Sequence, residues 1–230
     1  MDIVYVYRRP KHGEDELRYS IRSACAHLTF RRLIIVGDRP KFLREGSGAI
    51  VIADRHRGRT RYADTAGKLL RAARHPGVGR QLALMNDDFF ILRPHRSIPA
   101  YSDGTIGELL DRIGGRLGEY WKITAATAAR IGRDQPSFEI HAPFVFDRDQ
   151  LLEVARLYGY PDAGIHLRTV YGYAARINPA PTKDHKAKTL AELTRYAQGS
   201  FLSVSDAIAQ QPQFKALIER RFPAKSRFEK

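Results

Sequence analysis

Two adjacent carboxylates behind an amide, Asn86-Asp87-Asp88, are the most chemically loaded stretch of the chain. The apolar run Leu82-Ala83-Leu84-Met85 leads into them, and Phe89-Phe90-Ile91-Leu92 follows at once. An apolar run of this kind reads as a buried strand, so the polar trio is expected at its C-terminal tip, ahead of a second short strand. Neighbouring carboxylates repel unless a proton or a cation sits between them. Mg²⁺ and Mn²⁺ prefer such oxygen ligands and bridge them to nucleotide phosphates. The plainer alternative is an acidic turn that caps the next element. A second candidate is His141, which lies between Glu139 and Pro143. It could act as the base that takes a proton from an acceptor hydroxyl, or it could be an ordinary hydrogen-bonded strand histidine. With a metal-bridged diphosphate as leaving group, an Arg or Lys to stabilise its developing charge completes a minimal transfer site.

Other chemistries find no support. The chain has no G-x-x-x-x-G-K-S/T loop, no G-x-S-x-G elbow and no H-E-x-x-H helix, the signatures of P-loop nucleotide hydrolysis, serine hydrolysis and zinc proteolysis. Its single cysteine, Cys25, excludes an intrachain disulfide and a cysteine-rich zinc site.

These groups need a scaffold, and the patterning supplies an α/β one. Residues 3–7, 33–36 and 49–53 read as buried parallel-type strands, with 82–85 as a fourth. Helices are expected over 14–28, with Leu17, Ile21, Ala24, Cys25 and Leu28 on one face, and over 63–74, with Ala66, Leu69, Leu70 and Ala73. Further helices are expected over 106–117 and 120–131. Residues 138–146 read as a strand interrupted at Pro143, and Asp147 as the N-cap of a helix over 150–158. Residues 164–173 carry a short helix or strand, 182–197 a helical stretch, 201–206 a short strand and turn, and 208–222 a basic amphipathic helix. The alternation fits a doubly wound, mostly parallel sheet flanked by helices, in which ligands gather at the C-terminal strand tips. The expected organisation is one domain over 1–206, with a donor-binding half (1–92), an acceptor half (93–206) and a helical insertion, followed by a C-terminal helical tail over 207–230.

With 230 residues and 43% hydrophobic content the chain can bury a core. No run approaches the ~18 apolar residues of a membrane span, and the N-terminus lacks the layout of a signal peptide, so a cytoplasmic protein is expected. The charge is one-sided: 39 Lys and Arg against 25 Asp and Glu, a net of +14. Ten of those fourteen charges lie in residues 1–81, which hold 18 basic and 8 acidic residues. Such a field attracts polyanions. Arg55, Arg57, Arg59 and Arg61 crowd one Gly-containing loop that could close on phosphates, or could be a solvated loop.

Taken in order, these blocks resemble the Stealth-type sugar-phosphate transferases, within the GT-A-like nucleotide-sugar glycosyltransferases. Asp2-Ile3-Val4-Tyr5-Val6 is similar to the family's opening strand. Glu16-Leu17-Arg18-Tyr19-Ser20-Ile21-Arg22-Ser23, Arg32-Leu33-Ile34-Ile35-Val36-Gly37-Asp38, His75-Pro76-Gly77 and Asn86-Asp87-Asp88-Phe89-Phe90 are similar to its second block, the most specific one. His141-Ala142-Pro143-Phe144 and Phe201-Leu202-Ser203-Val204-Ser205-Asp206 are similar to the third and fourth. The resemblance spans residues 2–206. It departs at Tyr7-Arg8-Arg9-Pro10, where the family has Trp-Val-Asp-Gly, and at Ser205, where it has Asn. Plain glycosyl transfer is therefore as compatible as sugar-phosphate transfer.

The resemblance implies a GT-A-like, Rossmann-like fold and a divalent metal, Mn²⁺ or Mg²⁺, on Asp88 and Asp87. It implies a nucleotide-diphosphate sugar donor, of the UDP type, held by Asn86, with Arg168 as a phosphate contact. Beside these, Tyr5 and Arg8 are expected at the donor and Lys68 and Lys186 as further diphosphate contacts, with a surface salt bridge as the plainer reading of Lys68, Arg168 and Lys186. His141 would be the catalytic histidine, acting with Asp87, and Asp206 a further site residue. The size, fold class and charge also resemble the phage glycosyltransferases that decorate hydroxymethylated bases. That implies double-stranded DNA as acceptor, bound through Arg55, Arg57, Arg59 and Arg61, in the host cytoplasm if the chain is phage-encoded. A polysaccharide or protein acceptor, or a catalytically inactive DNA-binding protein, are the alternatives.

Overall fold

The computed structural model describes residues 1–10, 13–54, 60–115 and 118–230. The elements follow in the order β1 (Asp2–Tyr7), α1 (Asp15–His27), β2 (Leu33–Gly37), β3 (Ile50–Ala53), α2 (Arg61–Arg74), β4 (Gln81–Met85), β5 (Phe89–Ile91), β6 (Tyr101–Ser102), α3 (Ile106–Ile113), α4 (Glu119–Ile131), β7 (Phe144–Asp147), α5 (Arg148–Tyr158), α6 (Leu167–Ala174), β8 (Ala180–Pro181), β9 (Lys186–Ala187), α7 (Leu190–Tyr196), β10 (Phe201–Val204), α8 (Asp206–Ala209) and α9 (Pro212–Arg221). The protein is thus α/β, with one mostly parallel mixed sheet and two small ones.

The main sheet has the order β3-β2-β1-β4-β7. The four apolar runs supply its parallel strands: Val4 pairs with Ile34 on one side and Leu84 on the other. β7 runs antiparallel to β4, with Phe146 opposite Leu82. β1 is covered on both sides, and Ile3, Val4 and Tyr5 are fully buried. One face packs on α2, α5 and α6 through Val4, Ile34, Leu69, Leu70, Leu151 and Val170. The other packs on α1 through Ile3, Ile35, Leu17 and Ile21. The chain extends the sheet from β1 to β2 and β3, then places β4 on the opposite side of β1. That reversal opens a crevice beyond the carboxyl ends of β1 and β4, where a sheet of this kind binds ligands. Asn86-Asp87-Asp88 lies at that end of β4.

Four expected elements differ. Residues 138–143 are irregular, and only Phe144–Asp147 is strand; Pro143 has no N–H to give a ladder and restricts the residue before it. The expected helix over 182–197 is shorter. Lys186–Ala187 pairs with β10 as a strand, and the helix starts at Leu190 behind a Thr189–Glu192 capping box. The tail is two helices, because Pro212 cannot continue α8 and instead opens α9 at its first position. The helix expected over 106–117 ends at Ile113, where Gly114 takes a left-handed C-cap; Leu117 lies outside the described residues. Among the described residues no helix is long and apolar enough to cross a membrane.

Candidate active site

Asn86, Asp87 and Asp88 form the three-residue link between β4 of the main sheet and β5 of the small sheet β5-β10-β9. The small sheet's register decides what Asp88 meets. Ser203 of β10 stands opposite Phe89 and beside Lys186 of β9. Asp88 Oδ2 therefore accepts hydrogen bonds from Ser203 Oγ at 2.8 Å and from Lys186 Nζ at 3.1 Å. Glu16 in the first turn of α1 and Asp206 at the start of α8 add two more carboxylates to the same neighbourhood. Burial, then the charges of Asp87, Asp88 and Asp206, push the Glu16 carboxyl up to about 7. Burial and the Asp88 charge push Asp87 up to about 6. Desolvation and like charge both disfavour the ionised form, so this corner holds protons or attracts a cation.

Whether that cation is a metal depends on the donors. Among the described residues no three His, Cys, Asp or Glu side chains are grouped to hold a metal ion. The corner is therefore no all-protein cage. It does suit an ion shared with a ligand, because Mg²⁺ is commonly held by one or two carboxylates plus substrate phosphates, and Asp87 and Asp88 are adjacent carboxylates in partly buried surroundings.

His141 sits in the irregular 138–143 segment, which is held in place from behind. Arg168 Nη1 donates to the carbonyls of Ile140 and Ala142, on either side of His141, at 3.0 Å each. The Arg168 guanidinium lies 5.8 Å from the Phe89 ring centroid, and the His141 ring meets Phe89 edge-on at 6.4 Å. Phe89 follows Asp88 directly, so one buried ring ties the acidic tip to the histidine segment. In front, Asp184 accepts from His141 N at 2.9 Å, while His141 Nδ1 donates to its carboxylate at 2.8 Å. A carboxylate only accepts, so Nδ1 carries a proton, and in the neutral ring Nε2 is the nitrogen left with a lone pair. Burial works against the Asp184 charge, but the hydrogen bond and charge of His141 hold its carboxyl below the ordinary value. This is the arrangement that orients and supports an imidazole general base.

His141, Asn86, Lys186 and Arg168 all line one cavity of about 550 Å³. It extends between the N-termini of α2 and α4 to residues 160–168. Arg61 lines it too, while Arg55, Arg57 and Arg59 lie outside the described residues. Three expected ligand contacts lie elsewhere. Tyr5 is a fully buried core residue whose hydroxyl bonds Ser20 Oγ at 2.8 Å. Arg8 is exposed at the end of β1 and is not part of the cavity wall. Lys68 is 5% exposed and paired with Asp64 one turn earlier on α2.

The structure also brings in residues that sequence reading did not single out: Asp184, Ser203, Glu16 and the Tyr62, Tyr120 and His166 rings. Lys183-Asp184-His185-Lys186 is a dense titratable run and a usable signal for Asp184. Nothing local marks the others, since each matters only through a partner far along the chain. No protein-family model matches the chain, and no curated protein matches it either.

Proposed function

We propose that the protein is a transferase with a GT-A-like fold that moves a sugar from a nucleotide-diphosphate sugar, of the UDP type, to a hydroxyl acceptor. One observation carries this reading: His141, backed by Asp184, lines the same cavity as Asn86 and Lys186, and Lys186 pairs with Asp88 at the tip of β4. The strand order β3-β2-β1-β4 with an antiparallel neighbour supports the fold assignment.

In this reading His141 Nε2 takes the acceptor hydroxyl's proton, and Asp184 fixes the tautomer and stabilises the imidazolium that forms. Lys186, now on Asp88, turns its ammonium to the diphosphate as negative charge develops there. Arg168 keeps the His141 segment in register through the two carbonyls. Asp87 and Asp88 would hold a divalent ion together with the donor's phosphates. When bound, that ion would supply further charge stabilisation to the leaving diphosphate. The acceptor we favour is a hydroxymethylated base in DNA, supported by the net charge of +14 and by Arg61 on the cavity wall.

The test is transfer from a panel of radiolabelled nucleotide sugars, with Mg²⁺ or Mn²⁺, onto hydroxymethylated and unmodified DNA in parallel. Label on the hydroxymethylated DNA, removed by chelator and by Asp88→Asn, is the expected result. Donor hydrolysis without labelled DNA would move the acceptor to a glycan or a protein. No turnover of any donor by the folded protein would sink the transferase reading.

A further inference from the structure

The transfer mechanism leaves one pair of groups in the cavity wall unused. Glu139 and His166 both line the cavity, and their facing atoms, Glu139 Oε2 and His166 Nδ1, lie 3.6 Å apart. That separation is too long for a hydrogen bond. Each group is otherwise pinned in place. Glu139 Oε1 accepts from Thr169 Oγ1 at 3.1 Å and Thr169 N at 3.3 Å. Among the described residues Oε2 receives no hydrogen bond. His166 is 3% exposed, and its Nδ1 has no hydrogen-bond partner.

The tautomer follows from its other nitrogen. Thr124 Oγ1 has one proton, which goes to the carbonyl of Tyr120 at 2.7 Å. At 2.9 Å from His166 Nε2, the same oxygen must then accept, so Nε2 carries the imidazole proton and Nδ1 is a bare lone pair. Burial favours that neutral ring. Two acceptors thus face each other with no proton between them, which at the buried His166 Nδ1 is costly unless a donor enters, while the Glu139 side chain is 16% exposed.

The surrounding wall is aromatic. The Tyr62 and Tyr120 rings are 5.9 Å apart and tilted by 30°, and His166 completes a triangle with Tyr120 at 5.0 Å and Tyr62 at 5.9 Å. Apolar faces with a few convergent polar atoms at one edge are the general build of a small-molecule site. The edge here offers acceptors only. Base edges mix donors with acceptors, apart from guanine's adjacent N–H groups, and would set an acceptor against one of these two atoms. Hydroxyls turn their protons freely, and neighbouring ones can donate to both.

We propose that Glu139 and His166 form a sugar-recognition subsite, in which hydroxyls of a pyranose ring packed on Tyr62 and Tyr120 donate to Glu139 Oε2 and His166 Nδ1. This rests on the transferase reading of the adjoining cavity and assigns its sugar end.

The deciding variant is Glu139→Gln, whose amide can donate to His166 Nδ1 and so fill the gap from within. The probes are UDP-glucose and GDP-mannose, the matched nucleoside diphosphates, and methyl glucoside and mannoside. Binding is read by calorimetry and ligand-detected NMR on the full chain. The variant should weaken at least one sugar-bearing probe by about tenfold, leave UDP and GDP within about twofold, and melt no lower than the wild type. If Glu139→Gln fails to fold, Tyr62→Ala should weaken the same probes. Unchanged sugar affinity in the folded variant overturns the subsite and leaves the transferase standing. An equal loss for GDP alone overturns it in favour of a base site. Methyl glycoside binding without nucleotide-sugar binding keeps the subsite and sinks the transferase, and a wild type that binds no sugar probe sinks both.

Discussion

In the proposed transfer His141 takes the acceptor's proton, and the Asp184 hydrogen bond would keep the imidazole aimed while it does so. Removing the base by His141→Ala should lower kcat by about 10²- to 10⁴-fold with the fold intact, measured as transfer under saturating donor. Asp184→Asn should lower kcat as well and change its pH profile, since an amide neither fixes Nδ1–H nor stabilises the imidazolium; an unchanged profile would leave Asp184 a structural cap. The carboxylate corner makes a separate prediction. Glu16, with a folded value near 7 against an ordinary 4.5, binds more protons folded than unfolded. The stability it contributes is present at low pH and is lost as pH rises through about 7. Buried His166 and the partly buried His27, His95 and His185 are shifted down and slope the other way, so the comparison has to be a difference. Glu16→Gln should gain on the wild type as pH rises, by about 1–3 kcal/mol near pH 8. Urea midpoints at several pH values would show it, and a pH-independent difference would remove Glu16 from the charged cluster.

At the scale of elements, the His141 segment depends on a glycine outside it. Gly172 on α6 lies flush against the Phe138 ring, where any added Cβ would collide with ring carbons. Phe138 is 1% exposed and packs edge-on against Phe144 at 5.5 Å. Gly172→Ala should therefore cost about 1–3 kcal/mol by overpacking. It should also loosen residues 138–143, seen as faster amide exchange at Ala142, which is otherwise held by its bond to Ile140.

Elements of this kind mark how far the sequence could be read. β1, β2 and β4 were legible because each is an apolar run in the sheet interior, β3 because it is an apolar run although it lies partly exposed at the edge, and α2 and α5 because their stripes and the Asp147 cap are local signals. The acidic tip and His141 stood out by residue type. β6, β8 and β9 were not legible, since a two-residue strand has no periodicity and exists only through its partner. Asp184 and Ser203 were lost with them, because it is the pairing of β9 with β10 and of β10 with β5 that carries them to His141 and Asp88. Tyr5 misled for the opposite reason: its strand was correctly placed, but its phenol points into the core, where Ser20 receives it.

On the scale of the whole molecule, the tail closes onto the first helix. Arg22 donates to Glu229 through Nε at 2.9 Å and Nη2 at 2.6 Å, with the two side chains only 10% and 4% exposed. Ser226 N caps the same carboxylate at 2.8 Å, and Phe228 stacks on Phe30. Removing one partner of a buried pair strands the other charge. Glu229→Gln should thus lower stability by about 3–5 kcal/mol, read by chemical unfolding; a loss below about 1 kcal/mol would mean that the pair is solvated like a surface one.

The grip on Asp88 also has a history in time. Its two partners come 98 and 115 residues later, at Lys186 and Ser203. At ribosomal speeds of about 5–20 residues per second, Asp88 waits on the order of 5–20 s before the chain that neutralises it has been made. During that interval the four apolar strands of the main sheet are already synthesised, while the carboxylates at their tip have no lysine to face. The nascent protein therefore has its frame before it has its working corner, and a ribosome that pauses before β9 would hold it in that unfinished state.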